Sequence, residues 1–412
     1  MSDRLSPRRK VLFYTIMIGL TFALSFTLLE YGLATYYQST ETHVASVVFD
    51  PVLGWRLRPG VYWIKPLNAF REHEVYINEY GLRADHIVRA ATNDVKRIVI
   101  LGDSFTFATQ IPTESTFPVL IENLLNQSRP FEIVNAGVPG YGTAQELLFM
   151  KELARKNVVG DVYLLMIFIN DIMDNLRLDY GTGLGTPAQP GFSLGQDGRL
   201  ALTHSPRKEY STHFIAPQRA RPGLLTAEVV RNRISIFLQT RPNLVNLLNR
   251  VGFRPEISRM PSLINGWYED EVLVQGIPLT KALIEAIKKE AERNHAVLLA
   301  SLIPSPIQVY PRVYDPILKR TFGDNKSIDS YFNDPTRPQR MIAAMCEELK
   351  IPFLDLYPIL RRHDDKELFI PVDGHFDRDG HALVAQHLSS FILENGRTGS
   401  PRSEPVVVQG QR

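Results

Sequence analysis

Four short motifs in the sequence contain the residue types that acyl transfer requires. They are Gly102-Asp103-Ser104, the glycine-rich run from Asn135 to Thr143, the pair Asn170-Asp171, and a histidine- and aspartate-containing segment from Pro371 to His381. A serine hydroxyl is a poor nucleophile until a base takes its proton, and imidazole suits that task near neutral pH. A carboxylate can orient the imidazole, while glycine N–H groups and an amide side chain can bind the oxyanion. These residue types predict nucleophilic catalysis, with Ser104 as the candidate nucleophile.

The first motif follows a short apolar segment. Val95 to Leu101 is rich in β-branched and aliphatic residues, which is typical of a buried strand, and the apolar spacing after Ser104 lengthens as in a helix. A strand that turns through Gly102 into a helix places Ser104 at the carboxyl edge of a sheet, beside a helix N-terminus that favours negative charge. The alternative is that Asp103 and Ser104 simply cap the helix, because both residue types are common at that position.

The alternation of strand and helix continues along the chain. Strands are predicted at 97–101, 131–135, 162–169, 296–303 and 351–356, and helices at 115–126, 143–156, 279–294, 337–349 and 379–393. The strands are almost continuously apolar, as expected when helices cover both faces of a parallel sheet. The predicted fold class is α/β, a three-layer α/β/α sandwich with a five-stranded parallel sheet, to which an N-terminal transmembrane helix and a helical and loop insertion are added.

The motifs follow predicted strands at their carboxyl ends. In a parallel sheet these ends lie along one edge, where open α/β sheets bind their ligands. Serine, glycine, amide, carboxylate and imidazole are therefore expected to converge at that edge, although they come from distant parts of the chain.

Taken together, the motifs resemble the four sequence blocks of the SGNH hydrolases, also called GDSL esterases and lipases. The matching segments read GDSFTFA, NAGVPGYGT, FIND and DGHFDRDGH, in the order in which the family has them. The resemblance spans about Val95 to Leu393, and the segment before it is similar to the collar of membrane-anchored bacterial members. It implies a flavodoxin-like fold and an esterase, lipase or carbohydrate O-deacetylase that needs no cofactor and no metal.

The resemblance also implies roles for individual residues. Carried over by position, Ser104 is the nucleophile, and Asp373 and His375 are the acid and the base. The Ser104 N–H, Gly140 and Asn170 form the oxyanion hole.

The sequence departs from the family pattern at two points. Phe168 stands where the third block has glycine, and the last block reads Asp-x-His where Asp-x-x-His is common. His381 is therefore a rival base to His375, and its alternative is a histidine that packs at the start of a helix. Asp373, His375, Asp377 and His381 could also be interpreted as a metal cluster. Their spacing is not typical of metal ligands, so no bound metal is predicted.

Three residues beside the motifs have more than one possible role. Asp103 is expected to hold hydrogen bonds rather than to react. Asp171 is expected to orient its loop or, alternatively, to contact a substrate hydroxyl. Tyr141, next to Gly140, either lines the acyl site or packs in the interior.

An apolar segment near the start of the chain predicts membrane anchorage. Residues 11–29 contain no charged side chain, and about 20 apolar residues suffice for a helix to cross a bilayer. The basic triplet Arg8-Arg9-Lys10 precedes the segment, so the positive-inside rule places residues 1–10 in the cytoplasm. We expect an uncleaved single-pass helix over residues 11–34 and a periplasmic or extracellular catalytic domain. The alternative is a cleaved secretory signal.

A collar and a tail flank the predicted catalytic region. Residues 38–94 are interpreted as a collar, with a turn signal at Gly54-Trp55-Arg56, a candidate edge strand from Glu74 to Ile77 and a turn at 78–81. Residues 395–412 are polar and contain Gly, Ser and Pro, which predicts a disordered tail.

The predicted hydrolase domain covers residues 95–394 and is interrupted at about 176–268. Within that insertion, 181–198 is predicted to be a loop, and 224–251 has helical apolar spacing. Residues 201–260 contain more Lys and Arg than Glu. This excess suits a solvated face or, alternatively, a lid that recognises anionic groups or lies near lipid headgroups.

Composition narrows the functional classes. The 412-residue chain has a formal net charge of +2, which gives no argument for a nucleic-acid partner, and its single cysteine, Cys346, excludes an internal disulfide and a cysteine-based zinc cluster. The resulting prediction is a membrane-anchored serine hydrolase whose substrate is an envelope carbohydrate O-acetyl group or a lipid ester. The alternatives are an O-acyltransferase that uses the same site and a non-catalytic envelope protein that binds polysaccharide.

Overall fold

A computed structural model describes residues 6–39, 47–64, 72–84, 94–176, 188–207, 266–322, 326–371 and 373–396. The chain forms two compact units. Among the described elements, the first unit contains helix α1, Pro7–Ser39, and the second contains all the others. One stretch of α1, Pro7–Gly32, is long and apolar enough to cross a membrane, with a mean hydropathy of 2.0 over a window of which no part is buried. A signal sequence near an N-terminus has the same properties.

The strands and helices of the second unit are bounded as follows. The strands are β1 Val47–Asp50, β2 Gly54–Leu57, β3 Gly60–Ile64, β4 His73–Ile77, β5 Lys96–Gly102, β6 Phe131–Gly137, β7 Val162–Phe168, β8 Gly191–Leu194, β9 Leu200–His204, β10 Val297–Ile303 and β11 Phe353–Asp355. The helices are α2 Ser104–Phe107, α3 Phe117–Leu125, α4 Thr143–Arg155, α5 Asp171–Asn175, α6 Asp270–Arg293, α7 Pro306–Val309, α8 Pro311–Phe322, α9 Lys326–Asn333, α10 Arg337–Glu348, α11 Tyr357–Arg361 and α12 Arg378–Asn395.

A five-stranded parallel sheet with the order β11-β10-β7-β5-β6 lies at the centre of this unit. Strands β6 and β7 are buried along their whole length, because helices cover the sheet. Helices α3 and α12 pack together as one group, and α4, α5 and α6 pack together as another. The structure confirms the predicted three-layer α/β/α fold and all five predicted strands. Since the strands are parallel, β5, β6 and β7 end side by side at the carboxyl edge.

The helix before β10 begins earlier than the sequence predicted. Helix α6 begins at Asp270 rather than at Leu279 and contains both Gly276 and Pro278. An added Cβ at Gly276 would lie 2.6 Å from Cγ1 of Ile172 in α5. Tight packing on α5 therefore extends the helix through residues that local propensity disfavours. Helices α8 and α9 were also not predicted.

The collar contains two antiparallel hairpins, β1–β2 and β3–β4. Strand β4 agrees with the predicted edge strand. The predicted turn at Gly54-Trp55-Arg56 is wrong, because these residues begin β2. The Trp55 side chain is fully buried, and its indole N–H donates to the Pro139 carbonyl at 3.1 Å. Burial of this large side chain outweighs the local turn signal.

The predicted insertion is described in part. Strands β8 and β9 form an antiparallel hairpin, so the predicted loop at 181–198 is wrong over Gly191–Leu194. The predicted helical stretch 224–251, the basic segment beyond residue 207 and the predicted disordered tail beyond residue 396 lie outside the described residues.

Candidate active site

Ser104 is the first residue of α2, directly after β5. Asp103 caps this helix, and its Oδ1 accepts a hydrogen bond from the Phe105 N–H at 2.9 Å. The Asp103 side chain is buried, and burial raises its pKa to about 6. Asp103 therefore has the capping role that the sequence allowed for this motif, and the candidate nucleophile Ser104 occupies the next position.

Two glycines bring α2 onto the ends of the strands. A Cβ added at Gly102 would lie 2.2 Å from Oγ1 of Thr106, and one added at Gly137 would lie 2.5 Å from the backbone nitrogen of Phe107. Real Cβ atoms do not approach other atoms so closely, so both positions require glycine. Because these two glycines have no side chain, α2 can pack directly on the strand ends, and this packing places Ser104 at the carboxyl edge of the sheet.

The structure brings Ser104, His375 and Asp373 together in one hydrogen-bonded relay. The His375 Nε2 lies 2.7 Å from the Ser104 Oγ, and the His375 Nδ1 lies 2.6 Å from the Asp373 Oδ1. The same carboxylate oxygen also accepts the His375 backbone N–H at 3.1 Å. The imidazole can therefore accept a proton from the serine while its other nitrogen donates to the carboxylate.

A tight turn allows residues as close as Asp373 and His375 to face each other. Gly374 between them has a φ of +84°, in the left-handed region that favours glycine. Its N–H donates to the Ile370 carbonyl at 2.9 Å, and the Ile370 N–H donates to the His375 carbonyl at 2.8 Å. The Asp-x-His spacing works here because this glycine reverses the chain between the two side chains.

The imidazole packs against one member of an aromatic cluster. The Phe105 ring lies 4.7 Å from the His375 ring, 4.5 Å from the Phe168 ring and 5.0 Å from the Phe376 ring, measured between centroids. Phe168, where the family has glycine, is buried and completes this apolar cluster. Phe105 therefore places apolar surface against the imidazole ring.

The Asp373 carboxylate and the His375 imidazolium stabilise each other's charged forms. Burial by itself lowers the pKa of His375, but the Asp373 carboxylate and the more distant Asp103 outweigh it, so the net pKa is raised. Burial by itself raises the pKa of Asp373, but the His375 ring and further hydrogen bonds outweigh it, so the net pKa is lowered. Asp373 therefore stays ionised when His375 becomes cationic.

The residues predicted for the oxyanion hole lie at the ends of three adjacent strands. Ser104 follows β5, Gly140 follows β6, and Asn170 follows β7. Gly140 has a φ of +77°, which a glycine adopts without strain. The Asn170 amide nitrogen donates to Oδ2 of Asp174 at 2.8 Å. Asn170 also makes a side-chain hydrogen bond to Asp103, so an oxyanion that binds here must compete with that carboxylate for the second amide N–H.

Two neighbouring residues, Asp171 and Tyr141, have contacts that favour structural roles. Asp171 is buried and accepts a hydrogen bond from the Thr143 hydroxyl at 3.3 Å, which favours loop orientation over contact with a substrate. Tyr141 is fully buried, and its hydroxyl donates to the Trp55 carbonyl at 2.6 Å. Tyr141 therefore packs the collar against the domain instead of lining an acyl site.

The His381 ring contacts Phe117. Its Nδ1 accepts the Phe117 N–H at 3.1 Å, and its ring stacks on the Phe117 ring at 5.6 Å. The residue is buried, and burial lowers its pKa to about 3. A histidine that accepts a backbone N–H and stays neutral is a packed helix residue, so the geometry favours His375 as the base.

Sequence reasoning missed one residue of the site, Gln110. Its Nε2 lies 3.2 Å from both carboxylate oxygens of Asp373 and 3.1 Å from the His375 Nδ1. Gln110 lies in a loop with no motif of its own, and its partners are distant in the chain. No local sequence signal could have assigned it to the site.

The structure is similar to solved structures of GDSL lipolytic proteins and acetylxylan esterases. Three examples are a catalytic mutant of an acetylxylan esterase from Geobacillus stearothermophilus (14% identity, TM-score 0.35, 73% of this chain and 94% of that chain), a lipase/acylhydrolase from Enterococcus faecalis (12%, 0.34, 74% and 99%), and a member of the lipolytic protein G-D-S-L family from Veillonella parvula (13%, 0.32, 73% and 97%). No family model and no curated protein sequence matches the chain.

Proposed function

We propose that this chain is a serine ester hydrolase of the SGNH type that acts through an acyl-enzyme. The observation that carries the proposal is the continuous relay from the Ser104 Oγ through His375 to Asp373, with heavy-atom distances of 2.7 and 2.6 Å. This relay lies at the carboxyl edge of a parallel sheet, and open α/β folds bind their ligands at that edge. The order of the four sequence motifs supports the same chemistry.

The first half of the reaction forms the acyl-enzyme. The His375 Nε2 takes the proton of the Ser104 hydroxyl as Oγ attacks the ester carbonyl carbon, and Asp373 stabilises the imidazolium that results. The N–H groups of Ser104 and Gly140 and the Asn170 amide bind the oxyanion, each donor contributing about 3 kcal/mol. The imidazolium then gives its proton to the leaving alkoxide as the ester C–O bond breaks.

The second half returns the enzyme to its starting state. The His375 Nε2 removes a proton from water as the water oxygen attacks the acyl carbon. When the tetrahedral intermediate collapses, the bond between the acyl carbon and Oγ breaks, and the imidazolium returns its proton to Ser104. The carboxylic acid product leaves, and Ser104 and His375 return to their starting protonation states.

The proposal extends to location and substrate class. Helix α1 begins with a basic triplet and continues as an apolar, unburied stretch, which supports a single-pass anchor with a cytoplasmic N-terminus and an extracytoplasmic catalytic domain. An enzyme so placed encounters esters of the cell envelope, so we expect its substrate to be a carbohydrate O-acetyl group or a lipid ester.

Replacement of the nucleophile tests the reaction. The full chain, purified in detergent, is assayed with p-nitrophenyl esters of increasing acyl length and with acetylated polysaccharides. Ser104→Ala should lower turnover by at least about 10³-fold, whereas Ser390→Ala, an exposed serine in α12, should leave it unchanged. Full turnover by the Ser104 variant would refute the mechanism. Acyl transfer to an added oligosaccharide at the expense of hydrolysis would instead identify an acyltransferase.

A further inference from the structure

The side chain of Gln110 contacts the acid of the relay. Its Nε2 lies 3.2 Å from each carboxylate oxygen of Asp373. An amide nitrogen donates and does not accept hydrogen bonds, so Gln110 interacts with the carboxylate in its ionised form. The opposite amide orientation would place the Gln110 carbonyl oxygen against two negatively charged oxygens and is excluded by repulsion.

Gln110 does not disturb the hydrogen bond between the His375 Nδ1–H and Asp373. Its Nε2 lies 3.1 Å from the His375 Nδ1, but two donor groups cannot exchange a hydrogen bond. The His375 Nδ1–H therefore remains directed to Asp373 Oδ1, which is closer at 2.6 Å. An amide that bridges both carboxylate oxygens resists rotation of the Asp373 carboxylate, and that rotation would break the line from carboxylate to imidazole to serine.

The loop that carries Gln110 is held from the collar by Arg83. Its guanidinium donates to the carbonyls of Phe107 and Ala108 and, at 2.6 Å, to the carbonyl of Ile111. These carbonyls lie on both sides of Gln110. Arg83 is 3% exposed, so its bonds to the loop are shielded from water.

A second collar residue supports the same loop. The ring Nε2 of His73 lies 3.1 Å from the Thr109 carbonyl. Ala108, two positions before Gln110, has a φ of +56°, a conformation that costs a non-glycine residue energy and persists when its surroundings impose it. Ala108 is the left-handed C-cap of α2, and its N–H donates to the Ser104 carbonyl at 2.8 Å. Arg83 and His73 hold the loop that follows this cap and contains Gln110.

We propose that Gln110 is a positioning residue for the Ser104–His375–Asp373 relay and that the collar, through Arg83 and His73, holds it in place. This inference rests on the proposed function. It gives residues 73–84 a part in catalysis, in addition to that of a connection to α1.

Variants of Gln110 in the full-length protein test the first half of the proposal. Gln110→Met keeps the length of the side chain but removes the donor, and we expect kcat to fall about 10- to 100-fold while KM stays within about twofold. Gln110→Glu adds a carboxylate beside the relay, which stabilises the His375 cation, so the acid limb of kcat/KM should move up by about one pH unit. Gln386→Met, the same substitution at an exposed position of α12, is the matched control and should leave both kcat and the acid limb unchanged.

The outcomes separate this proposal from the one on which it rests. Turnover that survives Ser104→Ala refutes the proposed function itself. Turnover that depends on Ser104 but is unchanged in Gln110→Met refutes the role of Gln110 alone. A lower melting temperature in the Gln110 variants, with the acid limb of Gln110→Glu at its wild-type position, shows a merely structural role and also overturns the proposal.

A double-mutant cycle tests the second half. Arg83→Lys keeps the charge but cannot reach all the carbonyls that the guanidinium bridges. If Arg83 acts through Gln110, Arg83→Lys should lower kcat about fivefold or more in the wild type and by less than twofold in the Gln110→Met background. Equal fold losses in the two backgrounds would refute the connection between the collar and the relay.

Discussion

Removal of the charge on Asp373 should lower kcat far more than it lowers stability. In the transition state the cationic His375 ring lies against the Asp373 carboxylate, with 2.6 Å between Nδ1 and Oδ1. Two unit charges whose centres are about 4 Å apart interact by about 4 kcal/mol at an effective dielectric constant of about 20. Asp373→Asn removes this interaction, so we expect kcat to fall by about 10³-fold.

The assay compares this variant with one that carries the same substitution nearby. Asp377 caps α12, and its Oδ1 accepts the Gly380 N–H at 2.8 Å. Asparagine also caps helices well, so Asp377→Asn should keep kcat within about twofold. Both variants are measured as kcat and kcat/KM with p-nitrophenyl acetate over a range of pH, and their melting temperatures check folding.

The pH dependence gives an independent result. The Asp373 carboxylate raises the pKa of His375, so the acid limb of kcat/KM should move to lower pH in Asp373→Asn. A kcat within about fivefold of the wild type, or an equal loss in Asp377→Asn, would refute the assignment of Asp373 as the acid of the relay.

Three further predictions concern neighbouring residues. Asn170→Ala removes an oxyanion donor and should lower kcat about 10²- to 10³-fold with little change in KM, measured with the same ester; an unchanged kcat would remove Asn170 from the oxyanion hole. His381→Leu leaves the buried Phe117 N–H unpaired and should cost about 1–3 kcal/mol of unfolding free energy in denaturant titrations while folded protein keeps its kcat; a loss of kcat as large as that of His375→Ala would contradict this. Asp103 has a pKa of about 6 in the folded chain and 3.8 in the reference state, so its contribution to stability is full below about pH 4 and is lost as the pH rises through 6. Asp103→Asn should therefore flatten the stability curve between pH 4 and 6, and an unaltered slope in denaturant titrations would contradict the burial argument.

Much of the fold could be predicted because its signals are local. The runs that form β5, β6, β7 and β10 are apolar over their whole length, and this pattern requires burial on both faces of a sheet. Parallel strands then place their carboxyl ends together. Ser104 and the oxyanion residues could be placed at one edge from these two facts.

Local signals failed where packing over long distances decides the structure. The glycine beside Trp55 indicates a turn, but burial of the indole under residues 139–141 makes the segment a strand. Gly276 and Pro278 indicate a helix boundary, but packing on α5 extends α6 through them. In both cases the free energy of burial exceeds the local preference, which amounts to about 1–3 kcal/mol.

The sequence by itself determined the layered α/β fold and the candidates for the relay, because the period of apolar residues and the order of the motifs are properties of adjacent positions. The contacts that distinguish His375 from His381, the packing of Tyr141 and the contacts of Gln110 and Arg83 depend on the tertiary structure. These depend on which distant groups meet a side chain, such as the Phe117 N–H at Nδ1 of His381. Such contacts join residues that are far apart in the chain and follow no periodic spacing. They therefore cannot be predicted from the pattern of neighbouring residues.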